Sequence, residues 1–171
     1  MRYYVGIDNG VSGTIGVISA KMQSQFIKVP TFKEQNYTKK KQNITRIDVG
    51  KLYDWFCGSF DEDRDKVFIA LERPFTNIKY VNTMLISARA LEATLNVLAM
   101  LSLQRYEYVD SSWWQKVLLP KGVKGSDQLK KASLDIGLRL FPQHAALIKK
   151  HKDADGLLIA ERLRRQYETG D

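Results

Sequence analysis

Cysteine and histidine are almost missing from this 171-residue chain: Cys57 is the single thiol, and His144 and His151 are the only imidazoles. One cysteine excludes an internal disulfide, and these counts exclude a thiolate-built zinc site or a histidine-rich metal site. Any metal must be held mainly by carboxylate oxygens. Long hydrophobic runs are missing too, because charge or polarity interrupts every apolar stretch well short of the ~20 residues a membrane-spanning helix needs. The opening MRYYVGIDNG reaches an Asp8-Asn9-Gly10 turn where a signal peptide would carry its apolar segment. The expectation is a soluble, intracellular protein. Acids are also in short supply, 19 against 27 Lys and Arg, for a net charge of +8. That surplus points to a polyanionic partner, nucleic acid or membrane surface.

What is present is enough to fold. Hydrophobic residues at 44% and aromatics at 11% exclude a disordered tail. The length matches one core, so a single domain over 1–171 is expected. The basic residues are clustered: Lys39-Lys40-Lys41 continuing to Arg46, then Lys116 with Lys121 and Lys124, then Lys130-Lys131, then Lys149-Lys150-His151-Lys152, and last Arg162, Arg164 and Arg165. A single lysine run is commonly a solvated face, but five clusters together favour a phosphate-tracking surface. No segment has the one-sided lysine and exposed-aromatic pattern of a membrane-surface helix, which leaves nucleic acid as the better partner.

Residues 2–8, 14–20 and 24–29 have strand character and are separated by turn signals at Asn9-Gly10 and Ser12-Gly13, so the chain should open with a three-stranded meander. The polar, basic stretch 30–47 shows no periodicity and reads as a loop. Asp48 offers an N-cap for a helix over about 49–57, with Val49, Leu52, Tyr53 and Phe56 at helical spacing. VFIALE (67–72) is a continuous apolar run of strand length, as in a central strand buried on both faces. A helix apolar on nearly every face follows over 82–104, either deeply buried or half of a dimer interface. A short strand at 106–109 comes next, then a short helix carrying Trp113 and Trp114 behind an Asp110-Ser111-Ser112 cap. A basic loop over 120–125 leads to a helix from Ser126 to about Phe141. The last helix starts near Asp153. The order βββ-α-β-α-β-α-α-α predicts an α/β fold.

Two strands end in acids. Asp8 and Glu72 terminate apolar runs, and an isolated ionised carboxylate there must be paired, protonated or metal-bound. Neighbouring strands would bring both acids to one end of a sheet, and Asp153 and Asp155 at the start of the last helix offer a third source. Carboxylates without thiol or imidazole partners match a hard cation such as Mg²⁺. Two such ions ~4 Å apart can activate water and stabilise the leaving oxygen in phosphodiester cleavage. Each acid also has a plain structural role open to it: a turn at Asp8, an ion pair of Glu72 with Arg73, an N-cap at Asp153 or Asp155.

Three stretches then carry a resemblance: Val5-Gly6-Ile7-Asp8-Asn9-Gly10 with Ser12-Gly13, Leu71-Glu72-Arg73-Pro74-Phe75, and Asp153-Ala154-Asp155-Gly156-Leu157-Leu158-Ile159-Ala160. In this order and spacing, over nearly the whole chain, the sequence resembles the RuvC-type Holliday-junction resolvases of the RNase H-like superfamily, most closely their bacteriophage versions. The first stretch also resembles the opening of actin-like ATPases, which need two such domains to clasp a nucleotide. The resemblance implies an RNase H-like fold, a central mixed five-stranded sheet flanked by helices. It implies a Mg²⁺-dependent (Mn²⁺ as substitute) homodimeric endonuclease that cuts branched DNA in the cytoplasm, the host's if the chain is phage-encoded. Asp8, Glu72 and Asp155 match its metal ligands. The family's fourth ligand falls at Lys152 here, which leaves Asp153 or His151 for that role, with Asp153 preferred because it is acidic and can turn inward just before the helix begins. Phe75 matches an aromatic that wedges into the junction, Lys116 and Lys130 fall near phosphate-contacting lysines, and Lys121 and Lys124 lie in the basic loop between them. The helix over 83–103 corresponds to the dimer helix. A fork or flap nuclease of the same fold is one further reading. A non-catalytic junction-binding module is another, favoured by Lys152.

Overall fold

The computed structural model describes residues 1–36, 39, 41–60, 64–74, 76 and 78–170. Its centre is a mixed sheet whose strands are β1 (Tyr3–Ile7), β2 (Thr14–Ser19), β3 (Ser24–Lys28), β6 (Val67–Glu72) and β7 (Tyr106–Val109). They lie in the order β3-β2-β1-β6-β7, with β1, β6 and β7 parallel and the β1-β2-β3 meander antiparallel. Every residue of β1 is buried, as expected of a central strand covered on both faces.

Alternation along the strands sorts the two faces. Val5, Ile7, Ile69 and Leu71 point to one side, where α1 (Val49–Ser59) and α2 (Val81–Met100) bring Leu52, Phe56, Ala90 and Val97. Tyr4, Ile18, Phe26 and Ala70 point to the other, under α3 (Ser111–Leu118), α4 (Ser126–Leu140), α5 (Ala145–His151) and α6 (Asp155–Glu168). The helix α6 sits directly on the sheet. A Cβ added at Gly6 of β1 would lie 2.2 Å from the Gly156 carbonyl oxygen, and one added at Gly156 would lie 2.6 Å from that of Thr14. No side chain fits between the two backbones, so glycine at these positions sets the spacing of the layers.

The expected meander, the strands at 67–72 and 106–109 and the helix capped by Asp48 are all present, with the Asp48 side chain accepting from the Lys51 N–H. Four expectations need correction. The stretch 30–47 is not a loop but carries a hairpin, β4 (Thr31–Gln35) paired with β5 (Asn43–Ile47). Its alternation carries little apolar signal, because the hairpin stands outside the main sheet and, of its strand residues, only Ile47 is buried; Glu34 and Arg46 pair across it at 2.6 Å. The long helix stops at Met100 rather than Gln104. Leu103 N–H bonds the Leu98 carbonyl and Ser102 N–H that of Ala99, a Schellman ending in which Ser102 takes φ 56° where glycine usually sits. Without that glycine the sequence carries no stop signal. The basic run before Asp153 forms the unexpected α5, closed by Lys152 in the left-handed region. Finally, Asp110 holds the N-cap position of α3 as expected, but its side chain makes no capping hydrogen bond and pairs with Arg73 at 3.2 Å instead, while Gly125 rather than Ser126 holds the cap position of α4.

The packing of α6 on the sheet is testable by urea titration. Gly156→Ala should lower the unfolding free energy by ~3 kcal/mol through overpacking. Gly58→Ala, whose new methyl in α1 meets nothing within 4 Å, should raise it by ~0.5–1 kcal/mol.

Candidate metal centre

A row of side chains crosses the end of the sheet on the face that α6 covers. Ile7 pairs with both Ile15 and Leu71, so Asp8, one residue on, lies between Thr14 and Glu72. The Asp8 N–H donates to the Thr14 carbonyl at 3.0 Å, and Thr14 in turn faces Lys28 of β3. The row therefore reads Lys28, Thr14, Asp8, Glu72. From above, the start of α6 lowers two more acids onto it. Thr14 Oγ1 donates to Asp153 Oδ1 at 2.9 Å and accepts from the Gly156 N–H at 3.1 Å, while the Asp155 N–H donates to the same Asp153 oxygen at 2.7 Å. Asp153 thus organises the first turn of the helix with one carboxylate oxygen.

Asp8, Asp153 and Asp155 each offer a carboxylate oxygen, and the three atoms lie within 4.8 Å of one another. Glu72 emerges at the same end but is not one of the trio, its Oε2 accepting from the Trp114 indole N–H at 3.2 Å. Asp155 accepts a short hydrogen bond from the hydroxyl of Ser133 on α4. All four acids are pushed above the ordinary carboxylate range. Burial is the leading cause at each, and the neighbouring charges of Asp153, Glu72 and Asp155 add to it at Asp8. For Asp155 burial and the Asp153 charge outweigh the Ser133 bond and the Lys130 charge, raising it to about 7. Two unit negative charges at the 4.8 Å limit repel by ~3.5 kcal/mol at an effective dielectric of ~20. Such a cluster must take up protons or a cation. Its donors are carboxylate oxygens with hydroxyls behind them, which fits a hard divalent ion.

His151 lies outside the trio. It is half-buried, 6.1 Å from the Phe26 ring, and burial together with Lys28 and Lys150 holds it below the usual imidazole range. Of the two alternatives for a fourth ligand, Asp153 and His151, geometry thus brings Asp153 to the cluster. Lys116 is exposed in the last turn of α3, and Lys121 and Lys124 are exposed in the loop after it. That loop joins Trp114, which touches Glu72, to α4, which carries Ser133 and the exposed Lys130 to Asp155. Phe75 lies outside the described residues. The two tryptophans face different ways: Trp114 is buried, and Trp113 is half-buried with the Arg162 guanidinium 5.1 Å from its ring centre. The last basic cluster is largely structural, since Arg164 and Arg165 pair with the buried Glu161 at 2.9 and 2.8 Å. Thr14, Ser133 and Trp114 support the acids but carried no signal of their own in the sequence; Trp114 was legible only as one of an adjacent pair.

No family model matches the sequence, and no curated protein matches it. Solved structures do. Thermus thermophilus RuvC in complex with a Holliday junction substrate superposes with a TM-score of 0.57 at 14% identity, covering 99% of this chain and 97% of that one. A second Thermus thermophilus RuvC structure gives 0.53 at 13% identity, covering 98% and 96%. The chain has the RuvC-type, RNase H-like fold over nearly its full length.

The raised acids set a pH dependence. A carboxylate whose folded pKa exceeds its unfolded value favours folding below the unfolded pKa, and that contribution is lost as pH rises through the folded pKa. For Asp155 the window runs from its ordinary 3.8 to about 7. The metal-free protein should therefore lose thermal stability between pH 5 and 8, Asp155→Asn should flatten that loss, and Mg²⁺ should raise the Tm more at pH 8 than at pH 5. Melting curves across this range read all three outcomes.

Proposed function

We propose that the chain is a crossover junction endodeoxyribonuclease, a Holliday junction resolvase that hydrolyses phosphodiester bonds in branched DNA. The observation that carries this reading is the trio Asp8, Asp153 and Asp155, held within 4.8 Å at the end of the central strands in a fold shared with a RuvC solved on a Holliday junction substrate.

In this reading Asp8, Asp153 and Asp155 hold divalent metal, Mg²⁺ with Mn²⁺ as substitute, and Glu72 joins them by swinging off Trp114. Two bound ions would supply charge neutralisation and Lewis-acid assistance to both the attacking water and the leaving oxygen. The chain's own residues do the rest. Ser133 and Thr14 fix the carboxylate orientations, and the packing of α6 on the sheet keeps them fixed. Lys116, Lys121, Lys124 and Lys130 track the backbone of the bound strand, each neutralised phosphate contributing ~0.9 to the log–log salt slope on duplex DNA.

A junction offers two symmetry-related strands, so two sites are needed, and we assign the dimer contact to α2. That helix leaves Val81, Leu85 and Met100 more than half exposed, while Ala90, Val97 and Leu98 bury its opposite side. Lys152, the feature that favoured a non-catalytic module, is exposed, and the neighbouring Asp153 supplies an acid in its place. The whole chain acts as one domain, in the cytoplasm where such DNA is processed.

Cleavage of a labelled four-way junction in Mg²⁺ tests the assignment. Asp8→Asn should slow cutting by ~10³-fold, several kcal/mol of lost transition-state stabilisation, while junction binding persists. Undiminished cleavage by Asp8→Asn would sink the proposal. Symmetric paired cuts in four-way junctions, rather than single cuts in forks and flaps, are the expected product pattern.

A further inference from the structure

The outermost member of the sheet-end row is a cation with no hydrogen-bond or close ion-pair partner among the described residues. Lys28 closes β3 directly opposite Thr14 in the antiparallel β2–β3 register. Opposed residues in such a pair put their side chains on one face, with Cβ atoms ~5 Å apart. That face is the one carrying the metal centre, because Thr14 bonds both Asp153 and the backbone of Gly156. The charge of Lys28 is felt by Asp153 and by His151. Yet Lys28 is exposed, and it makes no hydrogen bond or close ion pair among the described residues. The contrast with Arg164 and Arg165, both bonded to Glu161, separates a cation used for folding from one left to solvent.

Lys28 also completes a symmetry about the acids. Lys130 lies on α4 three residues before Ser133, which bonds Asp155, and Lys28 lies opposite Thr14, which bonds Asp153. Nothing in the sequence marked Lys28, which sits in an ordinary edge strand between Ile27 and Val29. An edge lysine can serve only to discourage strand pairing, but that role requires no nearby catalytic acids and no particular phosphate.

We propose that Lys28 is a phosphate-positioning residue: it binds the phosphate next to the scissile one in the cleaved strand, on the Asp153 side of the site. The lysine ammonium serves here as a point charge for a phosphate oxygen. Together with Lys130 it would seat the strand across the acids at two points, one on each side. This assignment rests on the proposed nuclease function, whose own test is Asp8→Asn.

The experiment measures junction binding with Ca²⁺ in place of Mg²⁺, using DNA in which single neutral methylphosphonate linkages are scanned around the crossover. Lys28→Gln should weaken binding ~10-fold at low salt and make the log–log salt slope shallower by ~0.7–0.9, with Lys28→Arg restoring both. One methylphosphonate position should weaken wild type by a similar factor and leave Lys28→Gln unaffected, while the other positions weaken both proteins alike. An unchanged salt slope, or a variant as sensitive as wild type at every linkage, overturns the proposal. A wild type that binds the junction and never cuts it defeats the nuclease reading, while the Lys28 comparison still stands on binding. A wild type that binds no junction overturns both.

Discussion

The direct contact of α6 with the sheet is the constraint from which the site follows. Where Gly6 meets Gly156, backbone lies against backbone, with no room for a Cβ on either side. This closeness brings the Gly156 N–H within 3.1 Å of Thr14 Oγ1, and Thr14 then reaches Asp153. A methyl group inserted between the layers would lift the first turn of α6, and with it Asp153 and Asp155, away from Asp8. The placement of the acids is thus a packing property before it is a chemical one. Leu157, Leu158, Ile159 and Ala160 are all buried behind them, so hydrophobic burial holds the helix down against the repulsion at its N-terminal end.

That repulsion is the second organising term. The net charge of +8 averages over a basic exterior and an acidic recess. Inside the recess Asp8, Glu72, Asp153 and Asp155 are all pushed toward protonation, by burial first, with the charges of neighbouring acids adding to it at Asp8, Glu72 and Asp155. Lys28, opposite Thr14, and Lys130, on the helix that carries Ser133, are exposed beside it, and the exposed Lys116, Lys121 and Lys124 follow Trp114, which touches Glu72, along the chain. A polyanion is drawn to such a rim and repelled by such a centre until a cation neutralises it. In such an arrangement a cation and a polyanion would support one another, since each offsets the electrostatic penalty of the other.

Much of this was legible in the residues. The strand ends at Asp8 and Glu72 could be read because parallel neighbours bring like positions together, and the apolar run after Asp155 located the helix that covers them. Other features carried no such signal. The β4–β5 hairpin is concealed because its exposed faces are charged rather than apolar. The end of α2 is concealed because Ser102 adopts a conformation usually given to glycine. The supporting contacts of Thr14, Ser133 and Trp114, and the place of Lys28, depend on strand register and helix packing. Those distances along the chain are too long for any local pattern to encode: Thr14 and Asp153 are 139 residues apart. The clustered acids are of a type that points to a cation, whereas Thr14, Ser133 and Trp114, which contact them, are common residues whose role is purely positional.

The place where a divalent ion binds is the most direct reading of the site's chemistry. Diffraction from crystals soaked in Mn²⁺, with anomalous scattering used to locate the metal, tests it without reference to activity. The expected result is a peak coordinated by carboxylate oxygens of Asp8, Asp153 and Asp155, with Glu72 drawn toward it from Trp114. A peak absent from that recess, or one held by His151 in place of Asp153, would contradict it.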